Sequence, residues 1–262
     1  MLARLLEEEG MRVFYLGNNW TGWQVLQWLR QQGEEIAGLA LHPEVKRKHG
    51  DEILAAANLN EERVFDGSQL RDAEVLDAIR ECQADVAVSI LFDYILKPEF
   101  LNMFRHGVIN LHPSYLPFNR GQYPNVWSIV EQTPAGVTLH YIDERIDTGD
   151  VIAQQMVSVK PVDTGLTLYR KLEQAGVELF QQTWPSIRSG APARYPQKGE
   201  GSCHRTQDVR QIDCIRLDEK YTARELIDIL RARTFPPYDG AYFEQDGKRI
   251  HLRLELIESE AA

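Results

Sequence analysis

The sequence predicts an α/β protein: a Rossmann-like, mostly parallel sheet with an antiparallel edge, followed by a small α+β C-terminal appendix. Three observations carry this reading. Short apolar runs alternate with stretches of helical period from Arg12 to Arg188, the signature of βαβ units and a parallel sheet. Two of these runs are joined only by the short turn around Asp147-Thr148-Gly149, and a connection that short joins antiparallel strands. Beyond Arg188 the pattern breaks at Gly190, Pro192, Pro196, Gly199 and Gly201, and Gly and Pro at that density read as a linker.

The elements follow in order. Residues 12–17 are a first strand. Residues 20–32 form a helix because Trp20, Trp23, Leu26 and Leu29 recur near period 3.6. A strand at 36–41, helices at 51–57 and 75–81 and a strand at 85–90 come next. Pro98 opens a short helix over 99–104. Residues 107–111 are a strand, and a Pro-rich loop leads from it to a helix at 125–131. Strands at 137–142 and 151–159 flank the Asp147 turn. A long helix spans 167–188, its apolar face marked by Leu168, Leu172, Ala175, Leu179 and Phe180, and Pro185 is expected to end it a turn early. After the linker, Thr222-Ala223-Arg224-Glu225 is a capping box for a helix over 223–233. Alternating residues at 241–244 and 249–256 flank Asp246-Gly247, a hairpin signal. The expected organisation is an N-terminal extension at 1–10, with Met11 as a candidate start, a catalytic domain at 11–190, a linker at 191–205 and a helix-plus-hairpin region at 206–262.

Composition narrows the function. The chain has 262 residues, 43% hydrophobic and 26% charged, with a net charge of -10. That is a globular composition, and an acidic one disfavours a broad nucleic-acid surface. Cys82, Cys203 and Cys214 show no C-x-x-C spacing, so neither a disulfide framework nor a zinc knuckle is expected. No apolar run spans a bilayer, and the first residues lack a signal-peptide core. A cytoplasmic protein without metal, membrane or nucleic-acid partner is the expectation.

The chemistry concentrates between Val108 and Asp150. Asn110 and His112 sit two residues apart at a predicted strand end, so they share a face. Asp147 arrives in the turn after the next apolar run. An amide, an imidazole and a carboxylate suit acyl transfer to a nucleophile carried by the substrate: Asn and His donate to a developing oxyanion, and the carboxylate orients the imidazole and helps remove a proton. The competing reading has Asn110 capping a turn and His112 packing under Pro113. Other features are weaker. Residues 17–22 open a helix after the first strand but lack the glycine pattern and lysine of a nucleotide site. The basic loop with Lys46, Arg47 and Lys48 could meet phosphate or simply be solvated. Cys203-His204 is too little for a metal. His140, Trp127 and Trp184 read as packed residues. Ser114 has no Gly-x-Ser-x-Gly context, so a serine hydrolase is a poor alternative.

The set Asn110-Leu111-His112-Pro113-Ser114, Leu116-Pro117, Arg120-Gly121, Pro124, Trp127, Gly136-Val137-Thr138 and Asp147-Thr148-Gly149-Asp150 resembles the 10-formyltetrahydrofolate-dependent formyltransferases over residues 11–190. The resemblance implies a Rossmann-like fold with no dinucleotide, and catalysis by Asn110, His112 and Asp147. It implies 10-formyltetrahydrofolate as formyl donor, its pteridine against Ser89, Ile90, Leu91, Phe92, Asp93, Tyr94, Ile95 and Leu96 and against the loop Ile142, Asp143, Glu144 and Arg145. Within the family, the block 231–242 and the stretch 119–127 look most like the enzymes that N-formylate nucleotide-linked amino sugars for surface polysaccharides. Tyr115, Asn119, Arg120, Gly121, Tyr123 and Asn125 are then acceptor-side candidates, with Lys46, Arg47 and residues 17–21 as candidate phosphate contacts. The sequence departs from the commoner pattern at Tyr115 and Phe118-Asn119, which bears on the acceptor and not on the chemistry. The alternatives are a methionyl-tRNA formyltransferase, a transferase to another small amine, a folate-binding or 10-formyltetrahydrofolate-hydrolysing protein, and a non-catalytic subunit. A homodimer through the strand at 249–256 is one expectation; that strand could equally complete its own sheet.

Overall fold

The computed structural model describes residues 10–260; all but the last residue of the expected extension at 1–10 lies outside the described residues. The elements are β1 (Arg12–Gly17), α1 (Asn19–Gln31), β2 (Glu35–Leu41), α2 (Gly50–Ala57), β3 (Val64–Asp66), α3 (Ala73–Arg80), β4 (Val86–Ile90), α4 (Pro98–Leu101), β5 (Val108–His112), β6 (Arg120–Gly121), α5 (Pro124–Val130), β7 (Gly136–Tyr141), β8 (Val151–Met156), α6 (Gly165–Arg188), β9 (Cys203–His204), α7 (Val209–Asp213), α8 (Ala223–Ala232), β10 (Tyr242–Gln245) and β11 (Lys248–His251). Strands β1–β5, β7 and β8 form one sheet in the order β3-β2-β1-β4-β5-β7-β8. The pairs from β3 to β5 are parallel and β5 pairs antiparallel with β7. The mostly parallel sheet with an antiparallel edge is the class that the sequence predicts. The chain order reverses between β1 and β4, and the carboxyl ends of strands at such a switch point are where open α/β sheets place their ligands.

The chain divides into two compact units. The first holds the described residues up to His112 together with Thr138–Ala153 and Gly176–Gln197. Its strands β1, β2 and β4 are buried along nearly their whole length, as parallel strands covered by helices must be. On one side Phe14 packs against Phe100 at 5.7 Å and Phe104 at 5.9 Å. Elsewhere in the same unit Phe180 of α6 lies against Trp184 at 5.3 Å and Trp28 of α1 at 6.2 Å. Glu34 is buried there at 1% exposure. It accepts from the Met11 amide at 2.8 Å and the Trp184 indole at 2.9 Å, and it forms an ion pair with Arg188, whose Nε lies 3.4 Å away. One carboxylate thereby joins the start of β1, the β2 entry and the end of α6.

The second unit holds Pro113–Val137, Gln154–Ala175 and the chain from Lys198. Its helix α8 begins with the expected capping box, Thr222 and Glu225 exchanging side-chain and backbone bonds. Arg231 on α8 is buried and donates to Asp228 Oδ1 at 2.7 Å and to the Asp163 carbonyl at 3.0 Å. That ties α8 to the segment that opens α6. Asp246 and Gly247 both have positive φ, at 52° and 71°, the turn that an Asp-Gly hairpin requires.

Several expectations are corrected. The edge strand β3 is three residues long, too short to leave a periodic signal. Helix α4 stops at Leu101, and β11 stops at His251 instead of running to Leu256. Pro185 lies inside α6, which continues to Arg188; its carbonyl still accepts from the Ser189 amide at 3.1 Å. The expected linker at 191–205 carries β9 and a bridge between Tyr195 and Val151.

Replacing Glu34→Ala strands the Trp184 donor and removes the tie between the two chain segments. A loss of ~2–4 kcal/mol in unfolding free energy is expected from urea titration; a change under half a kilocalorie would show that Glu34 holds nothing.

Candidate active site

Strand β5 ends in Asn110-Leu111-His112. Across the sheet, Asn110 pairs in register with Ser89 of β4 on one side and His140 of β7 on the other. Residues in register present their side chains on one face, so Ser89, Asn110 and His140 form a polar row near the carboxyl end of β4 and β5. His112 lies two residues on, on the same face.

His140 is 1% exposed. Its Nδ1 lies 2.8 Å from the Tyr141 carbonyl, which can only accept, so Nδ1 carries the proton. Its Nε2 is 3.0 Å from the side-chain nitrogen of Asn110; the neutral ring accepts there and Asn110 donates. Burial pushes the His140 pKa down to about 4, overriding the nearby Asp147 and Asp143 carboxylates; His112, its other titratable neighbour, pushes the same way as burial. The ring is therefore a fixed neutral tautomer, and it fixes which way the Asn110 amide points. Asp147 is bracketed by two imidazoles: Oδ2 is 3.6 Å from His112 Nδ1 and Oδ1 is 3.6 Å from His140 Nε2. With His140 neutral, the second contact is not an ion pair. The two rings stand nearly perpendicular, at 86°. The sequence reading placed His140 among packed residues. It is packed, but as a member of this cluster.

The Asp147 loop has its own internal frame. Asp143 accepts from the Arg145 amide at 3.0 Å and from Thr148 Oγ1 at 2.7 Å. Asp147 itself has φ 51°, a left-handed conformation that Asp tolerates better than most residues. Gly149 is required, because a Cβ there would lie 1.8 Å from the Tyr141 carbonyl oxygen.

The candidate donor segment follows β4. Leu91 has φ 51°, and Leu91, Phe92 and Tyr94 are half-buried while Ile95 is 54% exposed. His42 shapes this segment: its Nε2 accepts from the Asp93 amide at 3.1 Å, and its ring lies 4.8 Å from Phe92 and 5.3 Å from Tyr94. Burial lowers the His42 pKa, which keeps that nitrogen an acceptor. Ser89 is buried within the row described above. Leu96 is buried in the apolar core with Phe14 and Phe100, and Ile142 packs against it, so those two serve packing. Asp143 is spent inside its loop, and Glu144 and Arg145 are exposed. Lys46 lies over the Tyr94 ring at 5.7 Å. Arg47 Nε donates to the His42 carbonyl at 3.0 Å. Asn18 pins this basic loop by accepting from the Lys48 amide at 2.8 Å, which brings the turn after β1 and the basic loop together.

The acceptor-side candidates Tyr115, Asn119, Arg120, Gly121, Tyr123 and Asn125 belong to the second unit. Two are corrected. Asn119 is completely buried, and its amide donates to Ser128 Oγ at 3.0 Å and Thr133 Oγ1 at 2.8 Å. Asn125 is buried and donates to the Gly165 carbonyl at 2.9 Å. Both hold the loop together. Gly121 has φ 84° and meets the His204 carbonyl too closely for any side chain. Tyr115 and Arg120 are half-exposed, and Tyr123 is 38% exposed. Among the described residues no group of three or more His, Cys, Asp or Glu is arranged to hold a metal ion.

Residues 42–183 match the formyl transferase family model. The chain belongs to that family. Its C-terminal residues 208–258 match a second model, the N-formyltransferase dimerization C-terminal domain. A methionyl-tRNA formyltransferase of Bacillus pumilus is 30% identical over 250 residues, which is 93% of this chain and 77% of that protein. A crystal structure of a 4-N formyltransferase from Francisella tularensis is 27% identical with a TM-score of 0.77, covering 95% of this chain and 99% of that one. The formyltransferase PseJ from Anoxybacillus kamchatkensis, solved with UDP-4,6-dideoxy-4-formamido-L-AltNAc and tetrahydrofolate, is 30% identical with a TM-score of 0.57, covering 76% of this chain and 88% of that one. The formyltransferase reading of the motifs and the folate-dependent enzyme class stand together with this membership.

The His140 pKa gives a stability prediction. It is ordinarily 6.5 and falls to about 4 in the folded chain. Between those values the unfolded chain binds a proton that the folded chain refuses, so stability falls as pH drops through that window. The urea midpoint of the wild type should fall more between pH 7 and pH 5 than that of His140→Gln. Equal falls would show that His140 titrates as an exposed histidine does.

Proposed function

We propose that this member of the formyl transferase family moves a formyl group from 10-formyltetrahydrofolate to the amine of a nucleotide-linked amino sugar. The observation that carries the chemistry is the convergence of Asn110, His112 and Asp147 at the carboxyl end of β5, with the Asn110 amide oriented by a neutral His140. When bound, the folate supplies an activated formyl carbon. The half-buried apolar segment Leu91, Phe92 and Tyr94, with exposed Ile95, offers a surface suited to a flat heteroaromatic ring. Asn110 and His112 donate hydrogen bonds to the oxygen that becomes negative as the acceptor amine attacks. Asp147 takes up the proton that leaves the amine, directly or through water; as the oxyanion collapses, the bond from the formyl carbon to the folate nitrogen breaks, and that nitrogen gains a proton and leaves as tetrahydrofolate.

The acceptor reading is supported by the likeness to the Francisella tularensis 4-N formyltransferase, 27% identical with a TM-score of 0.77. A nucleotide-sugar ligand in the PseJ structure agrees with it. Tyr115, Arg120 and Tyr123 are the acceptor-side candidates that keep exposed surface, and Lys46 and Arg47 stay as candidate phosphate contacts. The second reading, initiator tRNA, is favoured by the names of the sequence relatives. The family model over 208–258 supports a homodimer through the C-terminal region. No helix among the described residues is long and apolar enough to cross a membrane. The reaction is assigned to the cytoplasm, and the product would feed surface-polysaccharide synthesis.

Tetrahydrofolate release from 10-formyltetrahydrofolate, followed with a panel of amino-sugar nucleotides, charged initiator tRNA and no acceptor, tests the proposal. Release with one or two sugar nucleotides is expected. Release with charged tRNA alone would give the second reading, and release without any amine would make the protein a hydrolase. Against the best acceptor, His112→Ala should lower turnover at least ~100-fold; near-wild-type turnover would remove His112 from the mechanism.

A further inference from the structure

The carboxylate of Asp147 is useful only where its backbone holds it. The loop's own bonds account for part of that hold: Asp143 closes it from within, and the Tyr141 amide donates to the Asp150 carbonyl at 2.9 Å. The carbonyls of Asp147 and Gly149 are held from outside the loop. Both accept from one group, the side-chain amide nitrogen of Gln197, at 2.8 Å and 2.9 Å. An amide NH2 has two hydrogens, one for each carbonyl, so Gln197 spans the residue that carries the carboxylate and the obligatory glycine two positions on.

Gln197 is itself delivered by design of the chain before it. Tyr195 pairs antiparallel with Val151, the first residue of β8, through bonds of 2.7 Å and 2.9 Å. Arg194 donates to Asp150 at 2.8 Å and lies 4.2 Å over the Tyr141 ring. All of these residues lie in the first unit. A stretch rich in Gly and Pro is thus stapled to both ends of the Asp147 loop.

We propose that Gln197 is a positioning residue for formyl transfer, acting through the backbone of Asp147 to hold its carboxylate beside His112. The inference rests on the reading that Asp147 takes part in the reaction. The clamp is specific to an amide: glutamate at 197 would set a carboxylate against two carbonyl oxygens, and alanine would remove both bonds.

The test is a double-mutant cycle, with the amino-sugar nucleotide that gives the highest rate in the acceptor panel as the probe. Gln197→Ala should lower kcat ~10–100-fold with KM for donor and acceptor changed less than about threefold, and Gln197→Glu should lower it further. In an Asp147→Asn background, Gln197→Ala should cost less than about twofold, because groups that act as a unit are not additive. Hydrogen exchange by mass spectrometry should speed up in the peptide spanning 141–151 in Gln197→Ala and leave the rest of the sheet unchanged. Equal losses in both backgrounds, or full activity of Gln197→Ala, would overturn the proposal while leaving Asp147 in place. Wild-type turnover by Asp147→Asn would instead remove the reading beneath it.

Discussion

The site depends on one register. In the antiparallel pair β5–β7, Asn110 stands opposite His140. Because side chains alternate faces, a slip of one residue would turn His140 away from Asn110. In the observed register the buried, neutral imidazole takes one hydrogen from Asn110, and its own proton is committed to the Tyr141 carbonyl. An amide at a strand end can present either its oxygen or its nitrogen to a reacting group. Here the orientation is imposed before any substrate arrives, and that preorganisation is what makes a hydrogen-bond donor worth several kilocalories in a transition state.

A carboxylate reaches this place from the loop between β7 and β8. Strand β7 runs back beside β5, so that Tyr141 stands opposite Ile109, and the loop that follows it brings Asp147 within 3.6 Å of both His112 and His140. The loop is costly: Asp147 is left-handed and Gly149 cannot carry a side chain. Asp143, Thr148 and Gln197 offset that cost with bonds from inside and outside the loop.

Much of this was legible in the sequence. The alternation of elements predicted the sheet, and Asn110, His112 and Asp147 stood out by chemistry and spacing, helped by the family resemblance. What escaped detection did so for physical reasons. His140 was read as a packed residue because a histidine inside an apolar run is usually that, and β5 and β7 are separated by a loop and a helix, so their register cannot be read from spacing. Asn119 and Asn125 were acceptor-side candidates through the family resemblance; that each satisfies buried loop groups depends on contacts that spacing does not show. Gly and Pro between 190 and 201 look the same whether a chain wanders or is stapled down, so the role of Gln197 left no trace in composition. Strands of two residues, such as β6 and β9, have no period to detect.

The neutral, fixed tautomer of His140 is the claim on which the geometry turns. Long-range nitrogen–proton correlation NMR on histidine-labelled protein reads it directly. The account predicts that His140 shows a proton on Nδ1 and none on Nε2 at pH 7, unchanged down to pH 5. A ring protonated on Nε2, or one that titrates near 6.5, would contradict it, since Asn110 would then lose its acceptor and the orientation of its amide.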